Sequence, residues 1–169
     1  MMTESQVPGL RTAERLIVDL RSEIARADNK AAVLVAGLGV TVGALTGSLS
    51  SAEWCPWRLP VAADAAWWCG CVAWAAALGL LLLAVAPRYG RVPWSMARGL
   101  TYFRDIRCAV VRGQLEEALH RTERDPLPGL LSLLDELSVI AAAKHRCIRW
   151  GLGCFAVGAV AFPVMLLLD

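Results

Sequence analysis

The stretch RADNKAAVLVAGLGVTVGALTG, residues 26–47, sets Arg26, Asp28, Asn29 and Lys30 directly against an apolar run that meets no further charge until Glu53. Ala31 to Ala52 is 22 uncharged residues, and a helix needs about 20 to cross the hydrocarbon core of a bilayer. Two more such runs follow, 65–87 with 23 residues and 150–168 with 19. A secretory leader has an apolar region of only about 7–15 residues. The first run is longer and follows a charged approach, so it reads as a retained span. Composition agrees: 57% of the 169 residues are hydrophobic and the mean hydropathy is +0.51, above the ~45–50% apolar share of ordinary soluble domains. Three buried helices of this kind would need a larger polar shell than the rest of the chain supplies. The fold class expected is an all-α membrane protein, three transmembrane helices extended into a cytoplasmic helical bundle.

Orientation follows from the basic residues. Residues 1–30 hold five, 53–64 hold only Arg58, and 88–149 hold eleven. The positive-inside rule then places the N-terminus and the long middle segment in the cytoplasm of a multi-pass membrane protein, and richness in Arg and Ala points to a bacterial source. The expected organisation is a loose arm (1–11), a cytoplasmic helix (12–30), transmembrane helix 1 (31–52), an external hairpin (53–64), transmembrane helix 2 (65–87), a cytoplasmic helical region (88–149) and transmembrane helix 3 (150–168). Trp54, Trp57, Trp67 and Trp68 form an aromatic belt at the outer interface.

Leu16, Leu20, Ile24 and Ala27 recur at three- and four-residue spacing, and no Pro or Gly follows before Gly37. One helix therefore runs from the cytoplasm into the first span. Leu100, Phe103, Ile106, Val110, Leu115 and Leu119 predict a second cytoplasmic helix from Trp94 to about Arg124, weakened in its middle by Gly113. DPLPG at 125–129 breaks the chain, and a third helix with Leu130, Leu134, Leu137 and Ala141 on one face continues into its span. Within the first span Gly39, Gly43 and Gly47 stand at four-residue steps. Such a groove lets a second helix approach closely, inside the chain or in another copy.

The residues narrow the chemistry. The two cytoplasmic parts carry sixteen basic against twelve acidic residues, a mild excess that suits an anionic leaflet or a small anionic ligand and not a nucleic-acid polymer. The six cysteines form no CxxC pair and fall on both sides of the membrane and within it, so they read as small hydrophobes and not as a disulfide framework. His120 and His145 have no spaced thiolate, which argues against a metal site. GxSxG, P-loop and HExxH patterns are absent, and the expectation is a non-enzyme without cofactor. No span carries an ionisable residue, unlike proton relays and pumps. Arg26 and Lys30 share a helix face and suit headgroup anchoring, but Asp28 does not. A polar partner from another helix would explain it, and Lys144 occupies the matching position before the third span.

AERLIVDLRSEIARADNKAAVLVAGLGVTVGALTG at 13–47, LTYFRDIR at 100–107 and LLDELSVIAAAKHRCIRWGLG at 133–153 together resemble the transmembrane effector family of Pycsar antiphage systems. The shared pattern is Asp-x-Lys at the first span (Asp28, Lys30), Tyr-Phe with a nearby Asp (Tyr102, Phe103, Asp105), and an Ala-rich stretch with Lys before the last span (Lys144). The resemblance implies an effector beside a pyrimidine cyclase, whose product, cyclic CMP or cyclic UMP, triggers impairment of the membrane and abortive infection. A cyclic nucleotide is a monoanion with a flat base, so Arg104, Arg107, Lys144 and Arg146 are candidates for the phosphate and Tyr102 and Phe103 for the base. Arg26, Asp28, Lys30 and Asp105 are expected to form polar interhelical contacts that gate the response. The expected partners are the lipid bilayer, the nucleotide and further copies of the chain. The alternative is a non-catalytic scaffold or anchor whose cytoplasmic helices bind another protein. A third reading is the two-span SLATT effectors, similar in layout.

Overall fold

The computed structural model describes residues 9–50, 60–86, 95, 99–101 and 103–168. Among these the chain forms five helices and no strand: α1 Leu10–Ser50, α2 Val61–Val85, α3 Phe103–Val111, α4 Leu115–Arg124 and α5 Leu127–Leu168. Helices α1, α2 and α5 are long and apolar enough to cross a membrane. The all-α membrane class is what the three uncharged runs require.

Helix α1 starts beside Gly9, at φ +92°, whose carbonyl accepts from Ala13 N–H at 2.9 Å. It then continues unbroken for 41 residues. A bilayer offers the backbone no other hydrogen-bond partner, so glycines that would weaken a helix in water are tolerated. The hydroxyls of Thr41, Thr46, Ser48 and Ser50 donate to the carbonyl four residues earlier at 2.7–3.0 Å, satisfied on their own helix.

Three boundaries differ from the sequence reading. Helix α2 begins at Val61, behind Pro60, whose carbonyl accepts from Asp64 N–H at 2.9 Å. Residues 61–64 are thus helical, while 53–59 of the expected hairpin, with Trp54 and Trp57, lie outside the described residues. The single helix expected from Trp94 to Arg124 is two, α3 and α4, parted at Gly113. Helix α5 begins at Leu127, earlier than Leu130, because Pro128 falls in its first turn, where a missing N–H costs nothing.

The chain divides into two compact units, Met1–Ile24 with Arg88–Ala141, and Ala25–Pro87 with Ala142–Asp169. In the first, Ile17, Leu133 and Leu137 are buried with Leu20, Ile24, Leu130 and Leu134 around them. Ala109 of α3 meets Ala118 of α4, both fully buried.

In the second unit Leu38, Trp74, Ala77 and Phe162 make one core. The Trp74 ring lies 4.4 Å from Phe162 and 6.3 Å from Phe155, centroid to centroid. Its Nε1–H donates to the Phe155 carbonyl at 3.2 Å, so the polar end of the indole is satisfied at membrane depth. A second cluster joins Ala31, Leu81 and Ala84 with Cys147 and Ile148. Only 6% of the apolar window of α1 is buried, against 28% for α2 and 22% for α5. Helix α1 therefore presents most of its apolar surface outward, as a lipid-facing span does.

Candidate functional site

Two constellations collect the residues singled out by sequence, one in each unit. In the second unit, Lys144 on α5 is 4% exposed, and its Nζ donates to Asp28 Oδ1 on α1. The Asp28 side chain is 38% exposed, so water reaches it while the ammonium is enclosed. Ala31 and Cys147, each three residues further along its helix, belong to the apolar cluster with Leu81 and Ala84. The ion pair thus stands one turn before that cluster. An enclosed ammonium is tolerated only with a partner. Sequence points to this pairing because Asp28 serves no purpose as a membrane anchor. Arg26, Lys30 and Arg146 are exposed.

The first unit holds the α3–α4 hairpin. Asp105, in the first turn of α3, accepts from Thr101 N–H at 3.2 Å and from the Thr101 hydroxyl at 3.0 Å, which closes the N-terminus of the helix. These two bonds of Asp105 stay at the end of its own helix. At the other end Gly113 adopts φ +67°. Gly113 N–H donates to the Val110 carbonyl at 3.0 Å and Gln114 N–H to the Ala109 carbonyl at 2.9 Å, the paired bonds of a Schellman cap. Leu100 N–H donates to Thr122 Oγ1 at 3.0 Å, and that hydroxyl donates in turn to the Ala118 carbonyl at 2.7 Å. Gly99 lies against Thr122 at φ +71°, where a Cβ would come within 2.7 Å of Oγ1.

These bonds fix the rotation of α3. With Ala109 inward, Phe103, Arg104, Arg107, Cys108, Val111 and Arg112 line a shallow open groove. Three of the expected ligand residues, Phe103, Arg104 and Arg107, come together there. Arg112 and Cys108 join them unanticipated; positions 107, 108, 111 and 112 follow helical spacing from Arg104, which was the available signal. Tyr102 lies outside the described residues. Lys144 and Arg146 belong to the other unit. Among the described residues no group of three His, Cys, Asp or Glu side chains is arranged to hold a metal ion.

The glycines separate in the same way. A Cβ at Gly39, Gly43 or Gly47 would meet nothing within 4 Å, so these three make no close packing contact among the described residues. Close approach is carried by Gly70, where a Cβ would be 3.0 Å from the Phe162 ring, by Gly151, 3.1 Å from Leu81, and by Gly158, beneath the Trp74 indole.

Residues 12–168 match a family model, PycTM, described as the Pycsar effector protein domain. No curated protein and no solved structure matches the chain.

Proposed function

Because the chain belongs to the Pycsar effector family, we propose that it is the membrane effector of an antiphage system, triggered by cyclic CMP or cyclic UMP from a neighbouring pyrimidine cyclase to impair the inner membrane and cause abortive infection. The family match over 12–168 carries this reading. The groove on α3 supports it: arginines beside an exposed aromatic ring suit a cyclic phosphodiester and a base. The protein acts without catalysis, as an N-in, three-span protein whose basic segments stay in the cytoplasm.

The effector works as a homo-oligomer. Gly39 and Gly43 lie on a seam spaced alternately by three and four residues, Asn29, Ala32, Ala36, Gly39, Gly43, Thr46 and Ser50, small, uncharged and exposed throughout. That spacing is the one by which two helices pack along their length. Ligand binding on the cytoplasmic side biases the arrangement of the helices, and α1 and α5, each unbroken, carry the change toward the spans.

The test is membrane-potential dye retention in cells expressing the protein with an active or an inactivated pyrimidine cyclase. Depolarisation with the active cyclase alone is expected. Intact potential in both, with the protein recovered from the membrane fraction, would replace this reading with that of a scaffold.

A further inference from the structure

Beyond the nucleotide reading, α3 has a face that the described residues leave largely exposed. At 100° per residue Ile106, Val110, Phe103 and Arg107 fall within an arc of about 100°, with Val111 and Arg104 at its edge. The apolar members are large and open to solvent: Phe103 is 54% exposed, Ile106 46%, Val110 55% and Val111 85%. On the far side Ala109 is fully buried against α4 and Asp105 is engaged by Thr101, so the hairpin itself holds this face outward. Among the described residues, the groove beside it is lined by Arg104, Arg107 and Arg112, with Phe103, Cys108 and Val111.

We propose that α3 is an interfacial helix, docked on an anionic phospholipid leaflet with Phe103, Ile106, Val110 and Val111 among the upper acyl carbons and Arg104 and Arg107, at its flank, on headgroup phosphodiesters. Two observations select this occupant. A basic amphipathic helix with a bulky apolar face is the form that lies in a membrane interface, and the charge of the groove complements an anionic leaflet, each arginine near such a surface being worth roughly fivefold in partition. The leaflet is also always at hand, because α3 begins 18 residues after α2, a membrane-crossing helix, ends. Membership of one chain with that helix makes docking effectively intramolecular.

The experiment uses the full chain in nanodiscs of phosphatidylcholine alone, or of phosphatidylcholine and phosphatidylglycerol in equal parts, with no nucleotide present. Amide hydrogen exchange over 103–111 is expected to be about tenfold slower in the anionic discs, with the difference lost in R104Q/R107Q and at high salt. Equal exchange in both discs would overturn the proposal. So would slowing that ignores lipid charge, or slowing seen only in discs holding two copies, which would assign the face to a second chain. Lipid and cyclic nucleotide share phosphodiester chemistry, and cyclic CMP binding in the phosphatidylcholine discs reads the nucleotide site separately. Failure of either reading therefore leaves the other standing.

Discussion

Lys144 and Asp28 are unequal partners, and their substitution should show it. Removing the carboxylate in D28A strands an enclosed ammonium, a loss of about 2 kcal/mol, below the full buried-pair value because water reaches Asp28. The double variant D28A/K144M should recover most of that loss, since a Met side chain needs no partner. Thermal unfolding in detergent measures both. The glycines make a similar contrast. G158A drives a methyl into the Trp74 indole, which is held by its bond to the Phe155 carbonyl, and should cost about 1–3 kcal/mol. G39A meets open space and should leave the unfolding of the isolated chain unchanged, while weakening chemical crosslinking between copies in the membrane.

Helices α3 and α4 owe their separation to one left-handed residue. G113A adds a methyl that meets open space but must adopt φ +67°, a conformation that costs a residue with a Cβ about 1 kcal/mol. Amide exchange in α3 should accelerate about fivefold, while that of α2 stays as it was. Gly113 is legible in the sequence as an anomaly, but its place in the pattern reads as a weak point inside one helix. Glycine in a helical pattern fits a flaw or a cap equally well, and only the acidic pair Glu116 and Glu117, placed to open a new helix, favours the cap. The long helices were plain for the opposite reason: an uncharged run of 19 or more residues has one stable form in a bilayer. Which glycines touch was not legible. Helix α2 is apolar on every side, so nothing in its pattern says that Gly70 faces Phe162 while Gly79 faces open space. The Asp28–Lys144 pair was legible because a carboxylate so close to hydrocarbon demands a cation.

Along α1, Ile17 is buried in the first unit, and Ala27, Ala31 and Leu38, at helical spacing, are buried in the second. Inserting one alanine after Ile24 rotates everything beyond it by about 100°. Such a chain should still enter the membrane, yet fail to depolarise cells when the cyclase is active; full depolarisation would mean that the phase of α1 does not matter. The ion pair also sets an order in time. Its two residues stand 116 positions apart, and at roughly 5–20 residues per second Lys144 leaves the ribosome several seconds or more after Asp28. Helices α1 and α2 are thus synthesised before the cation that completes their bundle exists. A chain cut short before α5 can never form that bond, so an interrupted product of this gene is an unfinished assembly and not a smaller effector.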